Sequence, residues 1–150
     1  MYRFLTSGWL FFLALVVPLP AIAQSDDIPQ QRYVADIKLE TAQELYDMLE
    51  RANQLVLAGE DLPTNELRVS FVLHGPVLKS LLRSNYLENK PMVDLAASLT
   101  ALQFIEVTAC RTWMGFNGIQ ESELQPFIEP VDYGPGAVRQ LLKEKNYIRF

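Results

Sequence analysis

Apolar and polar residues alternate from Tyr33 to Leu39. Tyr33, Ala35, Ile37 and Leu39 fall on one side, and Val34, Asp36 and Lys38 on the other. A period of two predicts a strand. The period then changes. Leu45, Met48, Leu49, Ala52, Leu55 and Val56 recur every three or four residues, one face of a helix. Thr41 and Glu44 stand ahead of it at capping-box spacing, and Gly59 is a natural stop. Glu60 to Asn65, with Pro63, reads as a turn. Leu67, Val69, Phe71 and Leu73 mark a second strand, followed by His74-Gly75-Pro76. Pro76 suits the first turn of a helix whose apolar stripe is Val77, Leu78, Leu81 and Leu82.

After a polar break from Asn85 to Lys90, Pro91 opens a further helix with Met92, Leu95, Ala96, Leu99 and Leu102 turned inward. Phe104 to Ala109 is the third strand and ends at Cys110. Arg111 to Asn117 predicts a short helix closed by Gly118. Beyond Pro126, Phe127 to Val131 is a short strand, and Tyr133-Gly134-Pro135-Gly136 is a loop. Val138, Leu141 and Leu142 mark a final helix, and Tyr147 to Phe150 a last strand. Strands alternating with helices predict an α/β fold with a mostly parallel sheet of about five strands under helical layers. Asp36, Lys38, Arg68, Ser70, Glu106 and Thr108 interrupt the strands. A sheet covered on both faces has nearly continuous apolar strands. Part of one face is therefore open, or the polar residues meet a partner subunit. This points to a homo-oligomer.

The first residues follow a different pattern. Arg3 is the only charge before Asp26, Phe4 to Val17 is almost wholly apolar, and Ala21-Ile22-Ala23 follows Pro18 and Pro20. A basic start, an apolar run and a small-x-small site read as a secretory signal peptide. The run is shorter than the roughly 20 apolar residues of a membrane span. The expected organisation is a signal peptide at 1–23, a flexible lead-in at 24–32 and one α/β domain at 33–150. The expected location is the periplasm or the outside of the cell, with no stable membrane insertion once the leader is cleaved.

Composition narrows the function. The chain has 150 residues, 13 Lys+Arg and 18 Asp+Glu, for a net charge of −5. That argues against nucleic-acid binding, whose domains are usually basic. A hydrophobic share of 49% against 21% charged argues for a packed domain. One Cys and one His exclude an intrachain disulfide and a Cys/His zinc site. Neither a phosphate-cradling glycine loop nor metal-ligand spacing is present, so no metal and no cofactor is expected.

Ligands of open α/β sheets bind beyond the carboxyl ends of the strands. Three segments are expected there: His74-Gly75-Pro76, Cys110-Arg111-Thr112, and Tyr133 through Gly136. Cys110 sits where a strand hands over to a helix. Backbone N–H groups at a helix start carry partial positive charge, which favours thiolate, and Arg111 adds a full charge. A thiolate attacks sulfur or carries a persulfide. The same residue also reads as a small buried hydrophobe. His74 reads either as a strand-end imidazole bonded to a carbonyl or as a group that binds an anion, moves a proton or pairs with the thiolate. Gly75 and Pro76 shape the turn. Trp113, Met114 and Phe116 read as core, and Lys143, Glu144 and Lys145 as a solvated helix face.

Three pieces resemble the DsrE/DsrF-like family of sulfur-relay proteins. Val69-Ser70-Phe71-Val72-Leu73-His74-Gly75-Pro76 with Val77 to Leu82 resembles the family's strand, HGP turn and following helix. Val107-Thr108-Ala109-Cys110 and Gly118-Ile119 continue it, and Val131-Asp132-Tyr133-Gly134-Pro135-Gly136-Ala137-Val138 with Leu141 closes it before an aromatic tail at Tyr147. The resemblance implies a flavodoxin-like three-layer α/β/α fold and homo- or hetero-oligomers, trimers among them. It also implies a persulfide on Cys110, with His74, Gly75, Arg111 and Thr112 lining the site. Sulfur donor and acceptor proteins would be its partners, and it would be a carrier more than a turnover enzyme. The alternative is a non-catalytic oligomeric module that binds a small ligand or a protein, with Cys110 structural. Two features depart from the family: the export signal, and the bulky Trp113 just after Cys110.

Overall fold

The computed structural model describes residues 32–58 and 68–150. Within them β1 (Arg32–Ile37), β2 (Arg68–Leu73), β3 (Ile105–Cys110), β4 (Ile128–Val131) and β5 (Ile148–Arg149) alternate with α1 (Ala42–Ala58), α2 (Lys90–Ala101), α3 (Arg111–Phe116) and α4 (Gly134–Glu144). The signal peptide, the lead-in up to residue 31, Gly59 and the turn expected at 60–65 lie outside the described residues. No helix of the described residues is long and apolar enough to cross a membrane.

The five strands run parallel in the order β4-β3-β2-β1-β5. That order decides which face each helix covers. From β1 to β4 the chain steps across the sheet in one direction, and right-handed crossovers then put every intervening helix on one face. The last connection returns from the β4 edge to the opposite edge, so α4 lies on the other face. The packing agrees. Ala35, Ile37, Val69, Phe71, Leu73, Ile105, Val107, Ala109 and Ile128 form one core with Leu45 and Leu49 of α1, Ala96 and Leu99 of α2 and Met114 of α3. A separate small cluster joins Val34 and Val72 to Val138 of α4 and to Tyr147. The result is a flavodoxin-like three-layer α/β/α arrangement with one thin layer.

The thin layer explains the polar strand residues. Register places Val34, Ser70 and Glu106 in one row of the α4 face, and Asp36, Val72, Thr108 and Glu129 in the next. Among the described residues α4 is the one helix on that face, and Ser70, Glu106 and Thr108 find partners within the sheet. Ser70 donates to Glu106 at 2.6 Å and Thr108 to the Phe71 carbonyl at 3.3 Å. The opposite face, under several helices, is apolar throughout.

Three local expectations need correction. Pro76–Leu81 is a 3-10 run, not an α-helix. Its Val77 N–H is held by the Leu39 carbonyl, and at Leu82 the chain turns extended and bridges Leu124. The run closes on i to i+3 bonds, from the Leu78 N–H to the Gly75 carbonyl at 3.1 Å and from the Leu82 N–H to the Lys79 carbonyl at 3.3 Å, and Val77, Leu78, Leu81 and Leu82 are buried as expected. Gly134-Pro135-Gly136 is the first turn of α4, not a loop. Proline at a helix start loses no hydrogen bond, because the first N–H groups have no partner within the helix. Phe116, expected in the core, ends α3 at 87% exposure, whereas Met114 is buried.

Candidate functional site

Consecutive strands β3 and β4 send their following helices to opposite faces of the sheet. Such a switch opens a crevice at the strand ends, and here it lies between Cys110 and Gly134. The start of α4 fills it. Cys110 is 2% exposed and its sulfur accepts a hydrogen bond from the Gly134 N–H at 3.2 Å. A Cβ on Gly134 would stand 3.1 Å from His74 Cβ and 3.2 Å from Cys110 Cβ. The absence of a side chain at Gly134 is thus what lets α4 seat its first turn on both residues.

His74 follows the last residue of β2, and its backbone N–H donates to the Ile37 carbonyl at 3.0 Å. Leu73 pairs with Ala109 in register, so His74 and Cys110 are the next neighbours along adjacent strands. The imidazole reaches across to β1. Its Nε2 meets Asp36 Oδ1 from β1, while its Cδ2 edge faces Gly134. A carboxylate accepts only, so Nε2 carries the proton. Arg149 of β5 approaches the other Asp36 oxygen at 3.9 Å. Cys110, His74, Asp36 and Arg149 therefore form a line across four neighbouring strands at one end of the sheet.

The remaining expected residues serve the frame around this line. Arg111 donates through Nε to Glu121 and through Nη1 to Asp132, both at 2.6 Å. The bond to Glu121, then the bond to Asp132, holds the guanidinium above its ordinary range. Its charge is engaged by two carboxylates. Thr112 donates through its hydroxyl at 2.8 Å, and through its N–H at 3.3 Å, to the Asp132 carbonyl. Together Arg111 and Thr112 clamp the start of α3 to the segment that leads into α4. Gly75 passes against β1's exit loop, where an added Cβ would lie 3.2 Å from Lys38 Cα and 3.3 Å from the Leu39 carbonyl. It sets the turn and leaves His74 beside Asp36.

Asp36 was readable only as a polar strand position. Its partner depends on the β1–β2 register, which alternation alone does not supply. Two open pockets lie away from this line. One of about 190 Å³ sits at the start of β3 beside Gln103, Glu106 and Phe127. The other, of about 330 Å³, lies between the starts of α1 and α2, beside Tyr46, Glu88 and Met92.

Among solved structures, the chain is similar to the protein of unknown function MTH1491 from Methanobacterium thermoautotrophicum. The match has a TM-score of 0.62 and 19% sequence identity, and covers 80% of this chain and 99% of that chain. At that identity the likeness is one of fold. No family model matches the chain, and no curated protein matches it significantly.

Proposed function

We propose that the chain is an exported, DsrE/DsrF-like sulfur carrier that holds sulfane sulfur as a persulfide on Cys110. The observation that carries the reading is the position of Cys110: it closes β3 at the switch point, with a backbone N–H on its sulfur and His74 on the adjacent strand. The thiolate attacks the terminal sulfur of a donor persulfide. A new S–S bond forms on Cys110, the donor's S–S bond breaks, and the donor leaves as a thiolate. An acceptor thiolate reverses the exchange, with no net oxidation. Because the sulfur is buried, loading requires the first turn of α4 to lift and the Gly134 N–H to release it. His74 lines the opening, and Arg111 and Thr112 keep its two edges in register.

The proposal extends to location and assembly. The leader at 1–23 directs the chain to the periplasm or beyond. A second copy, in a homo-oligomer such as a trimer, covers sheet surface that α4 leaves open around Glu106 and the exposed Glu129.

The burial of Cys110 favours a second reading, in which the thiol only packs and the molecule is a binding module. Two measurements separate them. Cys110→Ser abolishes sulfur uptake from polysulfide under the first reading. Under the second, the native thiol resists a small alkylating agent on the timescale of global unfolding, and the wild type gains no sulfur.

A further inference from the structure

We propose that the first turn of α4 is a load-sensitive flap: residues 133–137 close over the bare Cys110 thiol and stay open for as long as Cys110 carries a second sulfur. This rests on the sulfur-carrier reading for its use, and on packing alone for its mechanism. Cys110 is 2% exposed, and the Gly134 nitrogen stands 3.2 Å from its sulfur. Neither of the two open pockets borders it. The Cβ atoms of Cys110 and His74 already crowd Gly134, where even a methyl group would stand 3.2 and 3.1 Å from them. A second sulfur bonds about 2 Å beyond the first and keeps about 3.5 Å from atoms to which it is not bonded. With the turn seated, it has no place.

The wall that yields is the turn. Cys110 ends an inner strand, and His74 follows another, each paired on both sides. The turn is held by less. Its first N–H groups have no partner within the helix, and the Gly134 N–H has only sulfur, a weak acceptor. The Ala137 N–H donates to the Tyr133 carbonyl at 3.0 Å, and the half-exposed Tyr133 ring lies 5.8 Å from the Arg139 guanidinium. Both ends of the segment are fixed. Ahead of it, the Asp132 carbonyl and carboxylate are gripped by Thr112 and Arg111. Behind it, Val138 is buried against Val34 and Val72. The segment therefore swings between two anchors without unseating α3 or the rest of α4. An empty carrier is shut and a loaded one is open. Loading waits for the flap, so its rate levels off at high donor concentration, whereas release does not wait. An acceptor protein meets the sulfur on a surface that the empty protein does not show.

Methyl methanethiosulfonate supplies a second sulfur without a donor protein. The Cys110 thiolate attacks its thiomethyl sulfur, an S–S bond forms, methanesulfinate leaves with the electron pair of the broken bond, and the thiol proton goes to solvent. The mature 15N-labelled protein is modified in dilute urea and returned to buffer, and its amide exchange is followed. Exchange at Gly134 and Ala137 is expected to accelerate by at least roughly tenfold, the scale of a lost hydrogen bond. Thr112, whose N–H holds the Asp132 carbonyl, and Tyr147, whose N–H holds the Leu141 carbonyl beyond the flap, are expected to keep their protection. Cys110→Ser treated alike is expected to keep the untreated pattern. Continued protection of Gly134 and Ala137 in the modified protein overturns the proposal, because the added sulfur then fits under a closed turn. Loss of protection that spreads to Thr112 and Tyr147 overturns it as well, because the segment then has no fixed ends. The carrier reading fails separately, if inorganic polysulfide adds no sulfur to Cys110 while the methylthio form still opens the flap.

Discussion

At Gly134 the space for a side chain is already taken. The neighbours of an added methyl are two Cβ atoms, fixed to strand backbones, at 3.1 and 3.2 Å. They cannot swing aside as a flexible chain end would. Gly134→Ala should cost about 1–3 kcal/mol, the range for overpacking, and lower Tm by several degrees in thermal unfolding. The same change should raise the rate at which Cys110 is alkylated, because α4 no longer seats fully. An unchanged Tm would mean that the first turn of α4 is looser than its contacts indicate. The positions of Cys110 and His74 were legible in the sequence, since strand ends are marked by the change of period and by Gly and Pro. The orientation of His74 was not. It depends on Asp36, and that pairing needs the register between two strands 38 residues apart along the chain.

Elements whose boundaries rest on local chemistry came through closely. The Thr41–Glu44 box is formed: Glu44 accepts from the Thr41 N–H at 3.0 Å, and the Thr41 hydroxyl accepts from the Glu44 N–H at 3.3 Å. Thr41→Ala should destabilise the protein by about 1 kcal/mol, read as a lower denaturation midpoint. The Thr41 side-chain bond, then its backbone bond, holds the Glu44 carboxyl below its ordinary value of 4.5. A depressed folded value means that the contribution is present above the unfolded value and is lost as pH falls through the folded one. Wild type should therefore lose stability more steeply than Glu44→Gln as pH is lowered through and below 4.5, and parallel curves would contradict this. Gly118, expected to close the helix after Cys110, does so at a φ of +69°. Gly-Pro-Gly is turn chemistry in isolation, so the local sequence points to a loop where α4 begins. Contacts with Cys110 and His74, not propensity, fix that helix start.

The whole molecule follows from one topological fact, the return of the chain after β4 to the far edge of the sheet. Among the described residues it leaves α4 alone on its face, and it places the switch point at Cys110. The alternation of strands and helices announced the α/β class. It could not announce the strand order, which is set by long-range pairing. The polar rows had two readings, an open face or a partner subunit. Internal pairing of Ser70 with Glu106 and of Asp36 with His74 accounts for much of them within one chain. Light scattering on the mature protein should nevertheless give a mass above that of one chain, with the exposed Glu129 at the contact. Glu129→Lys should then shift the distribution toward monomer. A monomer in both would remove the oligomer from the account and leave the open face solvated.

The central claim is that Cys110 carries sulfur. Intact-protein mass spectrometry of the mature chain after exposure to inorganic polysulfide, with Cys110→Ser alongside, tests it most directly. The account predicts a gain of whole sulfur atoms on the wild type, reversed by a reducing thiol, and no gain on Cys110→Ser. An unmodified wild type, or equal gains on both proteins, would contradict it.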